Sequence, residues 1–297
     1  MKVLNFGSCN IDYVYSLDHI VTPGETESSL QLKIFPGGKG LNQSIAAARA
    51  GVAIFHAGCV GSDAQLLLDT LQASGVDTGY LRQVPEKNGH AIIQVSQEGE
   101  NSIILYPGSN AMITDDLIDS VLENFEEGDI LLLQNEINDV PRIMQKAYQK
   151  GLRIIFNPSP FNEEICQENL QYVTWLILNE VEAKGFSGCE DVHQTLAYFR
   201  AHYPQMKIML TLGKNGCAYM DGENQWYQPA FPVHAVDTTA AGDTFTGYFI
   251  AGIVGDMEPA CILKLASAAS AIAVTRNGAA PSIPKKEEVL EFLEMMG

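Results

Sequence analysis

Between residues 128 and 213, short runs of consecutive apolar residues alternate with helical stretches, and this alternation constrains the fold more than any other feature. The runs lie within the predicted strands 130–133, 153–156, 175–178 and 208–210, and the predicted helices 140–150 and 190–202 separate these strands. Strands that are apolar on both faces are typical of a parallel sheet that is covered on both sides. The pattern therefore predicts an α/β fold with a doubly wound, mostly parallel sheet.

Polar residues follow the apolar runs, at the edge where ligands of open α/β sheets bind, beyond the carboxyl ends of the strands. Glu136 follows the first run, Asn179 the third and Thr211 the fourth. Near the N-terminus, another short apolar run is followed by Asn10 and Asp12. Residues two apart in an extended chain share a face, so these two side chains are predicted to point into one pocket.

Two segments, residues 12–36 and 88–106, interrupt this pattern with β-rich sequence. The second contains two β-rich runs that flank Gly99, which is a hairpin signal. We predict that the two insertions form a small β-sheet apart from the main one. Since no repeat, low-complexity tract or linker divides the chain, residues 1–297 are predicted to form a single domain with this sheet as an appendage.

The chain is strongly acidic, because 18 basic and 36 acidic residues give a formal net charge of −18. Such a surface repels nucleic acid and anionic membranes, so neither is an expected partner. A nucleotide triphosphate would be repelled too, unless local cations and a divalent metal offset the charge. No apolar run reaches the roughly 18 residues that span a bilayer. The six cysteines are scattered without a CxxC pair, which favours reduced thiols in a cytoplasm.

Segment 236–247 combines a glycine and a carboxylate just before an apolar, helix-compatible stretch at 245–254. Gly242 lets the backbone come close to a ligand, and the free N–H groups of a first helical turn form an anion site. Asp243, beside that site, is placed to accept the proton of a hydroxyl that attacks a phosphoryl group. The alternative is ordinary capping by an acidic first-turn residue, although the spacing of a capping box is absent.

A glycine-rich bend at 37–40 places one cation, Lys39, before an alanine-rich helix predicted over 44–50. The bend is not a Walker loop, because the GxxxxGK[ST] spacing is absent and Gly40 stands where that loop has its metal-binding hydroxyl. Asn42 is placed to hydrogen-bond a sugar hydroxyl. The alternative is a helix-entry turn with an exposed lysine.

Three further segments each allow a functional and a purely structural interpretation. Asn179 and Glu182 share one face of a helical turn, where their oxygens suit Mg²⁺, or they simply form a capped helix with a surface acid. Residues 211–216 form a turn that either backs a nucleotide or is a plain β-turn. Residues 264–284 are predicted to form a helix followed by a bare loop, whose carbonyl oxygens suit an alkali cation. The alternative is a capped helix that simply ends before a proline.

Five segments, taken in chain order, resemble the ribokinase-like carbohydrate kinases of the PfkB type. They are 7–12, 37–43, 179–182, 237–243 and 271–282, and the resemblance extends over essentially the whole chain. It implies an α/β kinase domain whose small β lid closes over the sugar and forms a homodimer interface. It also implies ATP as the phosphoryl donor, Mg²⁺, and a monovalent cation, typically K⁺.

The resemblance assigns roles to individual residues. Asp243 is the implied base, and the backbone of Ala240, Ala241 and Gly242 is implied to stabilise the transferring phosphoryl group. The implied sugar contacts are Asn10, Asp12, Gly38, Lys39, Asn42, Glu136 and Asp243, with Ala91 and Ile93 from the lid. The implied ATP contacts are Asn179, Thr211, Gly213, Asn215, Gly216, Gly242 and Ser267, the last standing where many relatives carry asparagine. Glu182 is implied to organise Mg²⁺ through water, and the implied monovalent-cation site comprises Asp237, Thr239, Ala273, Arg276, Gly278 and Ser282.

These features together predict an ATP-dependent kinase of a free pentose, with D-ribose as the expected substrate and ribose 5-phosphate as the product. Asn10, Asp12 and Glu136 are expected to accept hydrogen bonds from the hydroxyls of a neutral polyol. A sugar phosphate would require more cations than the lid segments supply.

Other substrates and a non-catalytic role are the alternatives. One alternative is a kinase of another sugar such as fructose, or of a ribonucleoside whose base stacks on the lid aromatics Tyr13, Tyr15 and Phe35. The other is a non-catalytic sugar-binding regulator that kept the fold.

Overall fold

The computed structural model describes residues 1–162 and 169–296, and one of the cysteines expected to be reduced, Cys166, lies outside them. A large sheet forms the centre of the fold. Its strands are, from one edge to the other, β13 (Asn224–Gln228), β12 (Cys217–Asp221), β11 (Lys207–Thr211), β10 (Trp175–Asn179), β9 (Arg153–Asn157), β8 (Ile130–Gln134), β1 (Val3–Phe6), β4 (Ile54–Val60) and β5 (Asp77–Gln83). All neighbours from β11 to β5 pair in parallel, whereas β12 and β13 pair antiparallel at one edge. The mostly parallel sheet is therefore confirmed.

Helices cover both faces of this sheet. They are α1 (Lys39–Arg49), α2 (Gln65–Ala73), α3 (Asp115–Leu122), α4 (Val140–Gln149), α5 (Glu180–Ser187), α6 (Val192–His202), α7 (Ala241–Val254), α8 (Pro259–Ala273) and α9 (Lys286–Met296). In β8, Leu131 packs in the core under α3–α6, and Leu132 packs in the core under α1, α2 and α7–α9. Because side chains of a strand alternate between faces, each strand needs consecutive apolar residues to fill both cores. None of the helices in the described ranges is long and apolar enough to cross a membrane.

A second, four-stranded sheet is built from the two β-rich insertions. Its order is β3 (Gln31–Gly37), β2 (Asn10–Ser16), β6 (Gly89–Val95) and β7 (Asn101–Tyr106). The hairpin predicted around Gly99 joins β6 to β7, which pair antiparallel. Asn10 and Asp12 open the lid strand β2 rather than ending a strand of the main sheet, but they still share one face.

Two helices of the site begin earlier than their sequences predict. Helix α1 begins at Lys39 instead of residue 44, and α7 begins at Ala241 instead of residue 245. Each first turn contains a glycine, which has a low helix propensity, so local sequence alone does not favour it. In α1 the first turn is held by tertiary contacts, since Gly40 N–H donates to the Ser8 hydroxyl at 3.2 Å.

Candidate active site

Helices α1 and α7 meet at Gly247, where an added Cβ would lie 2.3 Å from the Cβ of Ala46. The glycine therefore permits a close approach of the two helices that a larger residue would prevent. Their first turns lie together at the carboxyl ends of the parallel strands, where Gln43 on α1 is hydrogen-bonded both to Asp243 on α7 and to Gln134 at the end of β8.

Asp243 is held by two amide groups of α1. Its Oδ2 accepts from Asn42 Nδ2 at 3.0 Å, and its Oδ1 accepts from Gln43 Nε2 at 2.9 Å. Only 7% of the residue is exposed. Two donors, one on each oxygen, fix the orientation of the carboxylate.

The loop before Asp243 leaves backbone donors free. Ala240 adopts a left-handed conformation (φ 58°, ψ 12°) immediately before α7. Ala241 N–H donates to Thr238 O at 3.2 Å, but the N–H groups of Ala240, Gly242 and Asp243 make no hydrogen bond within the described part of the chain. An added Cβ on Gly242 would meet nothing within 4 Å. Free N–H groups at a helix N-terminus, with open space beside Gly242, suit an anion.

A second carboxylate, Glu136, lies at the start of α1. Its Oε2 accepts from Ser8 Oγ at 2.5 Å and from the backbone N–H of Lys39 at 2.9 Å. Burial raises the pKa of Glu136, and the Lys39 charge partly offsets this effect. Burial opposes the charge of Lys39 in turn, but the carboxylates of Asp243, Glu136 and Glu182 outweigh it and raise the lysine pKa. The ammonium therefore stays charged among these three acids.

Asp12, on the lid strand β2, lies near enough to Glu136 for the two charges to interact. Burial and the charge of Glu136 raise its pKa to about 7. Gly37 lies directly beside it, because an added Cβ there would come 2.1 Å from Asp12 Oδ2. Ala91 is the β6 partner of Asp12, and Ile93 lies two residues further on the same face.

The side chain of Asn10, predicted as a hydroxyl acceptor, is hydrogen-bonded within the protein. Its Oδ1 accepts from Asn110 Nδ2 at 2.7 Å, and its amide nitrogen remains as a donor. Asn10, Asn110 and Glu136 line one cavity of about 340 Å³, within the usual size range of small-molecule sites.

At the start of α5, Asn179 and Glu182 form a capping box. Asn179 Oδ1 accepts from Glu182 N–H, and Glu182 Oε2 accepts from Asn179 N–H, both at 2.9 Å. The capped-helix interpretation is therefore realised, but the acid is only 4% exposed rather than on the surface. No group of three or more His, Cys, Asp or Glu side chains in residues 1–162 and 169–296 is arranged to hold a metal ion.

The predicted turn after β11 is present, with a short 3₁₀ segment at Gly213–Asn215. Thr211 ends β11, and Gly216 lies against β13, since an added Cβ there would be 2.0 Å from Gln228 O. Ser267 on α8 is 8% exposed, and its hydroxyl lies 3.5 Å from the thiol of Cys217.

The residues of the implied cation site come from two segments that the structure joins. Asp237 Oδ1 accepts from Thr239 N–H at 2.8 Å and from Thr239 Oγ1 at 2.6 Å, and its Oδ2 accepts from Gly278 N–H at 2.8 Å. Burial alone would raise the pKa of Asp237, but these hydrogen bonds outweigh it and lower the pKa. The Arg276 guanidinium points away to Glu288, and Ser282 Oγ donates to Ala279 O at 2.8 Å. Ala273 O accepts from Arg276 N–H at 3.0 Å.

The whole chain can now be compared with known proteins. Residues 1–286 match the pfkB family carbohydrate kinases. The chain belongs to this family. It is 35% identical to ribokinase of Bacillus subtilis, covering 97% of each protein. Ribokinase of Cryptococcus neoformans, solved with ADP, superposes with a TM-score of 0.86 at 33% identity and covers 98% of this chain and 99% of its own. Ribokinase of Arabidopsis thaliana, solved with ribose and ATP, gives 0.88 at 29% identity over 99% and 98% of the two chains. The protein is accordingly an ATP-dependent sugar kinase.

The sequence did not predict a function for several polar residues of this site. Gln43 stands inside the 37–43 motif, so its position was a usable signal, and Ser8 likewise stands within 7–12. Gln134, which donates to Gln43 Oε1 at 2.7 Å, ends an apolar strand. Asn110 lies in a short 3₁₀ turn after the lid, where nothing in the local sequence marks it.

Proposed function

We propose that this kinase transfers the γ-phosphoryl group of ATP to the terminal hydroxyl of D-ribose and yields ribose 5-phosphate. The observation that carries the proposal is the fixed Asp243 carboxylate next to the free N–H groups of Gly242 and Asp243. Asp243 takes the hydroxyl proton as the new oxygen–phosphorus bond forms and the bond from the γ-phosphorus to the bridging oxygen of ADP breaks. The free N–H groups stabilise the negative charge on the transferring group.

A carboxylate is a weak base, so proton removal comes late and most of the rate derives from alignment and electrostatics. Lys39 adds a positive charge near the reacting groups, and Asn42 orients the base. Closure of the lid, through Asp12, Ala91 and Ile93, would exclude water and limit ATP hydrolysis.

Mg²⁺ and a monovalent cation belong to the proposal. Glu182 would organise Mg²⁺ through water, with the ATP phosphates supplying other oxygens, since its Oε1 receives no hydrogen bond from the described residues. When bound, Mg²⁺ neutralises phosphate charge. The backbone oxygens around Asp237 and Gly278 would hold K⁺. Loss of activity with EDTA, and lower kcat when choline replaces K⁺, are the expected results.

Ribose is preferred over other substrates on two grounds. The relatives of highest identity given above are ribokinases, and the lid disfavours stacking of a nucleobase. Tyr13 and Tyr15 lie on the lid face opposite Asp12, and only Phe35, its partner on β3, shares that face.

A substrate panel tests the proposal. ADP production would be measured with D-ribose, 2-deoxy-D-ribose, D-fructose and inosine, and the product identified by mass spectrometry. We expect kcat/KM to be at least about tenfold higher for D-ribose than for the others, the selectivity of a few polar contacts. A higher value for D-fructose or inosine would reassign the substrate. Ribose binding in calorimetry without ADP production would support the alternative of a non-catalytic sugar-binding regulator.

We further propose a homodimer formed through the lid, in a cytoplasmic enzyme. Ile103, Ile104 and Leu105 on β7 are each more than half exposed, the first and third on one face of the sheet and the second on the other, which leaves apolar surface that a partner lid would cover. Light scattering should give twice the monomer mass, and a monomer would contradict the assignment.

The cytoplasmic assignment is supported by cysteines that are all free in the described ranges.

A further inference from the structure

Two asparagines form a hydrogen-bonded pair at the wall of the cavity that Glu136 also lines. Asn110 is 2% exposed and Asn10 is 7% exposed. Asn110 Oδ1 lies 3.0 Å from the backbone nitrogen of Cys9, and Asn110 Nδ2 lies 2.7 Å from Asn10 Oδ1. The pair thus connects the backbone just before the lid strand β2 with the first side chain of that strand.

The backbone N–H of Cys9 fixes the polarity of both amides. A backbone N–H can only donate, so the atom of Asn110 that faces Cys9 is the oxygen, and the other atom is the NH₂ group. That NH₂ group can only donate, so the atom of Asn10 that faces Asn110 is also an oxygen. The amide nitrogen of Asn10 is left over for the cavity that the residue lines.

We propose that Asn110 is a positioning residue that makes Asn10 a hydrogen-bond donor toward the sugar. This proposal rests on the proposed function, because it assigns Asn10 to the sugar site of the kinase. A sugar hydroxyl both donates and accepts, so it can donate to Asp12 or Glu136 while a neighbouring oxygen accepts from Asn10. The site then recognises a donor and acceptor pattern that two carboxylates alone do not provide.

The lid strand β6 is shaped to keep this pair. Gly89 pairs with Asn10 across the sheet, and an added Cβ there would lie 2.1 Å from Asn110 Nδ2 and 2.4 Å from Asn10 Oδ1. The absence of a side chain at Gly89 therefore lets the two amides meet at the base of the lid.

Two variants of Asn110 test the proposal by kinetics. Asn110→Ala removes the anchor, and we expect KM for D-ribose to rise about tenfold, the effect of one lost hydrogen bond, while KM for ATP and kcat stay within about twofold. Asn110→Asp keeps the acceptor for Cys9 but removes the donor. The Asn10 amide must then turn its oxygen to the cavity, so KM for D-ribose should rise further.

Asn88 provides the matched control. It is 1% exposed, accepts from Gly61 N–H at 2.8 Å and donates to Asp63 at 2.6 Å, so it also joins a backbone N–H to a side chain. Asn88→Ala should lower Tm without a rise in KM for D-ribose comparable to that of Asn110→Ala. Equal KM changes in the Asn88 and Asn110 variants, or none in the Asn110 variants, would overturn the positioning role.

Neutron diffraction from crystals of the unaltered enzyme exchanged into D₂O tests the orientation without any variant. We expect deuterons on the Asn10 atom that faces the cavity. Deuterons on the atom that faces Asn110 would overturn the proposal even if the enzyme phosphorylates ribose. Inactivity toward ribose would refute the proposed function instead, while the neutron result still decides the orientation.

Discussion

The Asp243 carboxylate is restrained by residues about 200 positions away in the chain. Asn42 and Gln43 are adjacent on α1, and each donates to one oxygen. Gln43 is completely buried, and its own oxygen accepts from Gln134, so its orientation is fixed as well. The proposed base is therefore oriented before any ligand binds, which lowers the cost of reaching a reactive geometry.

Asp243→Asn should lower kcat by roughly 10²–10⁴-fold, because the proton acceptor is lost. KM for ATP should change little, since the carboxylate is assigned to the hydroxyl and not to the nucleotide. Steady-state kinetics with both substrates varied would measure this. Asp256→Asn, at the exposed end of α7, is the control and should retain full activity. Unchanged turnover of Asp243→Asn would remove this residue from the mechanism.

Gly242→Ala should lower activity without lowering stability. An added Cβ meets no protein atom within 4 Å, and alanine favours helix, so Tm should be equal or higher. The methyl group would, however, occupy the space in front of the free N–H groups, so kcat should fall at least roughly tenfold. Calorimetry and steady-state kinetics on the same preparation test both parts. Full activity would show that no ligand approaches this backbone.

The elements of the site are helices whose first turns depend on packing. Neither the first turn of α1 nor that of α7 has a side-chain cap, and both contain glycine. Contacts with β1, β8 and each other hold them instead, as in the bond from Asn5 Nδ2 to Gly40 O at 2.7 Å. The contact between α1 and α7 thus decides both the stability and the shape of the site.

Gly247→Ala should destabilise the protein by about 1–3 kcal/mol, because the added methyl group would overlap Ala46 in a closely packed contact. The helices would have to separate, which would also pull Asn42 away from Asp243 and lower kcat. Urea unfolding measures the first effect and kinetics the second. Gly242→Ala on the same helix is the matched control without such a contact. A Gly247→Ala free energy of unfolding equal to that of the unaltered protein would disprove the packing argument.

Across the whole molecule, buried titratable groups make stability depend on pH in opposite directions. Burial and Glu136 raise the pKa of Asp12 to about 7, so the folded state holds an extra proton between pH 3.8 and 7. The stabilisation that this proton gives the folded state is complete below pH 3.8 and is lost as the pH rises through 7. Burial lowers the pKa of His56 to about 4, so its contribution is lost as the pH falls from 6.5 toward 4.

Asp12→Asn should therefore change the pH profile of stability. Without the extra proton, the free energy of unfolding should rise more steeply with pH between about 4 and 7 than in the unaltered protein. The difference in slope should correspond to the uptake of up to about one proton. Urea unfolding at several pH values without sugar would measure the slopes. Asp18→Asn, on the exposed chain after β2, is the control and should leave the slope unchanged. Equal slopes for Asp12→Asn and the unaltered protein would show that Asp12 ionises normally.

Much of the architecture follows from local patterns. The consecutive apolar residues of β8, β9, β10 and β11 predict a sheet buried on both faces, and the hairpin at Gly99 predicts part of the lid. The antiparallel edge formed by β12 and β13, and strands β4 and β5, were not predicted. Strands β4 and β12 are mostly buried, whereas β5 and β13 are not and lack the long apolar runs that marked the central strands.

The sequence by itself determined the α/β class, the glycine-rich loops and the identity of the candidate base. Only the tertiary structure decided which polar atoms meet. Asn110 reaches Asn10 across 100 residues and Gln43 reaches Asp243 across 200, and the oxygen of Asn10 is consequently hydrogen-bonded within the protein. The physical reason is that secondary structure depends on nearby residues, whereas a hydrogen-bond partner depends on which strand ends and helix starts the topology brings together.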